Sequence, residues 1–467
     1  MKQRIPLFLL IVGTALSLQG ETLDRIETQI HSRTGAEVLW QHDDAARNQA
    51  AATVRKLLAK PLTVSSAVQI ALLNNRSLQA TFEEIGIAKS DVLEAVTVPN
   101  PSVDFDVQFP ATANTLNRYG WLVGEDFVRI LMIPLKKKIS EAALEKVKLQ
   151  VATKVLDLVA DVKKSYFTIQ ADQQLLERLK VIQETIAASL DLAQKQYKAG
   201  NITDFALLQM QSAYDEGKLQ IAKAEADFEE HQEDFNELLG LWATQTDWKI
   251  QSKLTEAPVE KFSTKHLEML AVTQRLDLQA AHREMSSLAM AYGLTKTFRW
   301  VPVLDLGFSG ERDNDATLNM GPAFRIEVPI FNQGQYRMAK GEAELRRSAE
   351  RFEALAITIR SEVRKYRDKM LNLSEQAAFY RDEALPTRIK IVNKGMLEYN
   401  AMQLGAYGLF LAKADELRAE RGYIEALRDF WIARTDLERA VGGSLAPRPQ
   451  ASTPTMANSS KAHPAHQ

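Results

Sequence analysis

Cysteine is missing from all 467 residues. That excludes a disulfide, a thiolate metal site, a cysteine nucleophile and an acylated N-terminal cysteine, so no lipid anchor is expected. Charge of one sign is missing too: the formal net charge is −2 at pH 7. No basic block with interleaved aromatics occurs, so no nucleic acid is expected as a partner. No P-loop, HExxH or GxSxG motif is present, and paired acids such as Glu83-Glu84 and Glu229-Glu230 sit on helical faces where solvated charge is the default. No catalytic residue, cofactor or metal site is expected, and the chain is not read as an enzyme. The tail histidines His463 and His466 make at most a weak metal site, and Met396 and Met402, which would suit a soft metal, are read as packing or adaptor contacts. Long apolar runs are confined to Leu7–Leu18, behind Lys2 and Arg4, which has the form of a secretory signal peptide over residues 1–20. It is too short for a spanning helix. If the protein crosses a membrane, it does so with strands.

What is present is a duplication. Leu78-Gln79-Ala80, Pro101, Pro134, Tyr197 and Gly240 recur as Leu278-Gln279-Ala280, Pro302, Pro329, Tyr399 and Gly442. The interval from Tyr197 to Tyr399 equals that from Gly240 to Gly442, the mark of a repeated structural unit. The organisation read from this is an N-terminal extension at 21–61, a first repeat at 62–240, a linker at 241–264, a second repeat at 265–443 and a low-complexity tail at 444–467. The extension contains a helix near Asp44–Leu58.

Each repeat predicts the same elements. Thr63 caps a helix running to about Val98, which Pro99-Asn100-Pro101 stops. Ser102 to Pro110 then alternates strictly, with Val103, Phe105 and Val107 on one face and Asp104 and Asp106 on the other. A turn-rich stretch leads to a poorly alternating strand over about Trp121–Ile133. From Lys136 to Lys198 neither Pro nor Gly interrupts the helical pattern, roughly 90 Å of helix. Ala199-Gly200-Asn201 reverses the chain, and Thr203 caps a return helix ending at Gly240. The second half predicts a helix at about His266–Thr297 and a strand with Leu304, Leu306 and Phe308 opposite Asp305. A polar loop spans Gly310–Gly321, and the next strand sets Phe324 and Ile326 against Arg325 and Glu327. A long helix follows, kinked at Pro386, with its return helix. Pro329 to Tyr399 exceeds Pro134 to Tyr197 by seven residues, so the second ascending helix is expected to be about two turns longer.

In lipid every backbone polar group must be paired, so strands cross only in closed barrels. Four strands leave two open edges and fall short of the smallest useful barrel. Chains must therefore combine; three copies would give twelve strands, although spacing alone does not fix that number. Val103, Phe105, Val107, Leu304, Leu306, Phe308, Phe324 and Ile326 are expected to face lipid. Asp104, Asp106, Asp305, Arg325 and Glu327 are expected to face water, with an acidic excess that gives modest cation preference.

These residues resemble the TolC-like outer-membrane efflux factor family. Leu62–Pro101, with Ala71-Leu72-Leu73-Asn74-Asn75 and Pro99-Asn100-Pro101-Ser102, is similar to its first helix and strand entry. Tyr197-Lys198-Ala199-Gly200-Asn201-Ile202 resembles its hairpin tip. Val328-Pro329-Ile330-Phe331-Asn332-Gln333-Gly334 resembles the exit from its fourth strand, and Leu437 to Gly443 its C-terminal close. The resemblance covers about 62–443. It implies a mainly α fold with a small β part: duplicated helical hairpins forming a periplasmic α-barrel, and four strands per chain in a trimeric twelve-stranded outer-membrane β-barrel of a Gram-negative bacterium. It further implies a passive duct fed by an inner-membrane pump through a periplasmic adaptor. The adaptor would dock at the tips Ala199, Gly200, Asn201, Ile202 and Ala401, Met402, Gln403, Leu404. Among family members the extension and the Leu72–Asn75 run look most like those of heavy-metal exporters. A protein-secretion duct and a pore-free periplasmic coiled-coil scaffold are the rival readings.

Departures are specific. Met402 replaces the glycine of the first tip. Where gated members carry Asp and Arg beyond the second tip, Leu404, Gly408 and Leu411 stand, so no acidic gate is expected. Lys136-Lys137-Lys138, at the expected helix start, is unexplained by helix stability; a solvated helix start is the default reading, and contact with anionic head groups at a membrane edge is the alternative.

Overall fold

A computed structural model describes residues 27–109, 116–251, 253–257, 266–301 and 303–445. The signal segment 1–20 and most of the tail, including His463 and His466, lie outside the described residues.

Helix α1 (Asp44–Leu58) begins where Asp43 Oδ1 accepts from the Ala46 amide at 2.7 Å. Helix α2 (Val64–Asn74) starts with a reciprocal Thr63–Ser66 capping box. The single helix expected to Val98 is instead broken at Asn75, and α3 runs Arg76–Val96. Asn75 adopts extended ψ and accepts from the Leu78 amide at 2.9 Å, making a new cap. Its Nδ2 donates to the Leu238 carbonyl at 3.0 Å, while that of Asn74 donates to Leu239 and Gly240. The break thus ties the start of the repeat to its end. The second half copies it. Its expected single helix is α6 (Leu267–Gln274) and α7 (Leu276–Phe298), broken at Arg275, which Asp277 and Glu362 clamp at 2.6 Å each.

Strands β1 (Ser102–Gln108), β2 (Arg118–Asp126), β3 (Leu304–Arg312) and β4 (Leu318–Ile326) form one antiparallel sheet in that order. Two expectations change. The second strand does not reach Ile133: Asp126 caps the Val128 and Arg129 amides, and helix α4 begins at Phe127. The polar loop expected at Gly310–Gly321 shrinks to 313–317, because its flanks pair as strand in register.

Helix α4 (Phe127–Lys198) is 72 residues long and contains Pro134. Thr203 caps its partner α5 (Asp204–Leu239), 36 residues, as predicted. In the second repeat α8 (Gln335–Phe379) passes through a π-helical turn, Tyr380–Ala384, into α9 (Leu385–Asn400), and α10 (Ala406–Val441) returns, again over 36 residues. The π turn sits directly before Pro386, where an ordinary i−4 bond is lost. The ascending path of 45, 5 and 16 residues is shorter than α4, contrary to the expected two-turn insertion. Pro134 lies inside its helix and Pro329 before its own, so the two prolines are not equivalent markers. Lys136–Lys138 likewise are the tenth to twelfth residues of α4, which removes any conflict with the helix dipole.

The long helices pack side by side in the order α5, α4, α10, α8–α9. A core joins α2, α3, α4 and α5 around Phe82, Tyr166, Phe235 and Trp248. A second lies under α6, α8 and α10 around Ile359, Met370 and Phe430. The N-terminal extension packs on this body: Arg33 Nη1 donates to the carbonyls of Gln274 (2.9 Å) and Gly442 (2.5 Å), and Trp40 Nε1 to Glu83 at 2.9 Å.

Candidate functional site

The sheet is built with two unlike faces, and the strand register decides which residue joins which. Val103, Phe105 and Val107 lie opposite Val123, Trp121 and Tyr119. Val123 and Trp121 in turn pair with Phe308 and Gly310, and Glu125 with Leu306. Leu304, Leu306 and Phe308 pair with Ile326, Phe324 and Pro322. Since side chains on directly paired residues share a face, all eight apolar residues singled out in the sequence fall on one side. Tyr119, Trp121, Val123, Leu318 and Met320 join them. The three on β2 were hidden because Gly120, Leu122 and Gly124 flatten its hydropathy alternation; Leu318 and Met320 fell in the stretch expected as a polar loop. The apolar face is solvent-exposed in the single chain: Phe324 is 80% exposed, Val103 68% and Phe105 67%. Trp121 lies over Gly310, where a Cβ would come within 2.5 Å of the indole, and within 6.1 Å of the Phe308 ring.

The opposite face collects Asp104, Asp106, Asp305 and Arg325. Arg325 pairs with Asp305 at 3.6 Å, and Arg118 forms an ion pair with Glu311. Glu327 lies one residue past β4, its amide donating to Val303 at 3.3 Å. β1 and β4 are the two edges of this sheet.

The other end of the molecule carries the two helical tips, closed by one hydrogen-bond pattern. The amides of Ala199, Gly200 and Asn201 donate to Lys195, Tyr197 and Gln196; those of Ala401, Met402 and Gln403 donate to Leu397, Tyr399 and Glu398. The pattern demands a left-handed residue. Gly200 supplies it at φ +72°, whereas Met402 holds φ +60° with its side chain 95% exposed. Ala199, Asn201, Ala401 and Gln403 are exposed; Ile202 and Leu404 are half-buried. Ile202 packs with Tyr407 and Phe410 on a small core of Leu190, Ala193 and Met210, which joins the tips. On the two sides of the second tip, Arg388 from α9 and Arg418 from α10 both bond Asp415, and Lys413 bonds Glu416. Lys413–Glu416 and Arg418–Asp415 are local i,i+3 pairs on α10, whereas Arg388 joins them only once α9 and α10 are packed.

Midway along the first hairpin, His231 Nδ1 meets Asp172 at 2.7 Å. Burial pushes the Asp172 carboxyl above its ordinary range, against the opposing pull of His231. Among the described residues no group of three or more His, Cys, Asp or Glu is placed to hold a metal, and no helix is long and apolar enough to cross a membrane.

Residues 136–241, covering most of the first hairpin, match the model of the family described as Outer membrane efflux protein. The cobalt-zinc-cadmium resistance protein CzcC of Cupriavidus metallidurans is 19% identical over 395 residues, covering 82% of this chain and 91% of that protein. Among solved structures, CusC shares the fold with a TM-score of 0.68 at 16% identity, over 82% of this chain and 92% of that one. The CmeC outer membrane channel of Campylobacter jejuni does so with a TM-score of 0.67 at 15% identity, over 81% and 85%. The first hairpin matches that family's model, and the backbone along most of the chain has the TolC-like fold of these solved channels.

Proposed function

We propose that the protein is the outer-membrane channel of a tripartite efflux system, a passive exit duct for cargo delivered by an inner-membrane pump through a periplasmic adaptor. The observation that carries this reading is the sheet: an exposed face that is apolar except for Glu125 and Arg312 near its ends, backed by a charged one, with two open edges. Such a sheet is stable in a bilayer only if copies close it into a barrel, apolar side outward and charged side lining water.

The protomer's two edges suit head-to-tail closure, which forms a ring. One edge carries β1, with Asp104 and Asp106, and α5, with ten acidic and two basic residues. The other carries β4, with Arg325, and α8, with ten basic and seven acidic residues. Three copies give the twelve strands of the proposed barrel. The exposed tips around Gly200 and Met402 are the proposed adaptor-docking surface. Heavy-metal cations are the proposed cargo, supported by the likeness to CzcC and by the acidic excess of Asp104, Asp106, Asp305 and Glu327 over Arg325.

The test is the mass of the protein extracted with detergent from isolated outer membranes. A stable trimer is expected. A soluble monomer or dimer absent from that fraction overturns the channel and leaves a periplasmic coiled-coil scaffold.

A further inference from the structure

Between the sheet and the long helices lies a collar of side chains that conduction does not use. The register sets Asp126, Leu304 and Ile326 at one end of the sheet, and the helices connect to the strands there. From this end α4 departs with Phe127, Leu131 and Leu135 at four-residue spacing on one exposed stripe, and Lys138 follows on the same stripe. Beyond β4, Val328, Ile330 and Phe331 are exposed, Phe331 by 92%. Before β3, Trp300 is half-exposed under the Arg299 guanidinium, 4.6 Å from the ring centroid. Arg337 lies 5.7 Å from the Tyr336 ring.

Neither folding nor helix stability accounts for this set. An exposed apolar patch of this kind is costly in water. Lys136, Lys137 and Lys138 are the tenth to twelfth residues of α4, beyond the reach of the helix terminus, and among the described residues the run's ion pair is Lys137 to Glu141 at 3.8 Å. Apolar residues, Trp and Tyr beside Lys and Arg are the chemistry of a membrane–water interface. Such basic residues favour anionic phospholipid, because each gains attraction at a negatively charged surface. The collar also continues the sheet's apolar face, from Val123 to Phe127 and from Ile326 to Val328.

We propose that this collar is a binding surface for anionic phospholipid. Phe127, Leu131, Leu135, Ile330, Phe331 and Trp300 enter the head-group boundary, while Lys136–Lys138, Arg299 and Arg337 meet the phosphates. The depth assigned to the collar rests on the channel reading; its preference for negative charge does not.

The experiment compares the full-length protein in phosphatidylcholine nanodiscs with and without phosphatidylglycerol, reading the thermal midpoint and the phosphatidylglycerol retained on extraction. Wild type is expected to be stabilised by phosphatidylglycerol and to retain it. K136Q/K137Q/K138Q is expected to weaken retention by one to two orders of magnitude, about five-fold per lysine, while K136R/K137R/K138R keeps it. Equal stabilisation by both lipids, or unchanged retention in the glutamine variant, overturns the proposal. The detergent mass of each variant keeps the two readings apart. A trimer without lipid preference sinks the collar alone. If wild type proves soluble, the channel reading fails, and co-sedimentation with phosphatidylglycerol vesicles, absent with phosphatidylcholine vesicles, still decides the collar.

Discussion

Gly240 and Asn74 meet where the first repeat closes on itself: a Cβ added to Gly240 would lie 2.6 Å from the Asn74 carbonyl oxygen, at φ +66°. Gly442 holds the same place in the second repeat at φ +86°, with 3.4 Å to the Arg275 backbone. Both substitutions to alanine strain the left-handed backbone, by about 1–2 kcal/mol, but only Gly240→Ala also forces backbone against backbone. Gly240→Ala is therefore expected to lower the thermal midpoint clearly more than Gly442→Ala. Circular dichroism melts of the two variants check the order; equal losses would refute the asymmetry.

Tyr166 predicts an alkaline limit. Burial pushes its phenol up to about 12, and its Oη donates to the Leu62 carbonyl at 3.0 Å. A raised value means stability is complete below the ordinary tyrosine range near 10 and is lost as pH rises through about 12. Tyr166→Phe is expected to cost about 1 kcal/mol at neutral pH, since the carbonyl loses its donor, and to remove this part of the alkaline loss. Chemical denaturation of both proteins at pH 8 and at high pH measures the difference; parallel curves would contradict it.

Met402 sits in a conformation that glycine occupies at the other tip. Met402→Gly is expected to raise stability by roughly 0.5–1 kcal/mol, the left-handed strain less the entropy of glycine. Gly200→Met is expected to lower it by a similar amount. If Met402 serves adaptor docking, Met402→Gly weakens adaptor crosslinking while stabilising the chain. Opposite signs in the melt and the crosslink yield are the predicted outcome.

Phe105 and Leu306 lie on the same apolar face through Trp121, Val123 and Glu125. Aspartate at both is expected to cost on the order of 1–3 kcal/mol per site in a bilayer, depending on depth, and to abolish recovery of oligomer from outer membranes. Asp104→Leu, on the opposite face, is expected to assemble. Fractionation followed by unheated gel electrophoresis reads both, and normal assembly of the double aspartate variant would count against the proposed barrel.

Local periodicity and punctuation in the sequence were enough for the duplication, the return helix capped by Thr203, the tip at Gly200, and the alternation of Val103, Phe105 and Val107 against Asp104 and Asp106. Those signals lie within a few residues of one another, so one strand or one turn carries them. Tertiary structure decided what depends on partners far along the chain. The helix breaks at Asn75 and Arg275 follow from hydrogen bonds to Leu238 and ion pairs to Glu362, which a local helical pattern does not contain. Strand β2 ends at Asp126 because its carboxylate caps a helix, and only pairing with β1 and β3 reveals that Tyr119, Trp121 and Val123 share the apolar face. Alternation says that a strand has two sides; register, set by neighbouring strands, says which side the whole sheet holds in common.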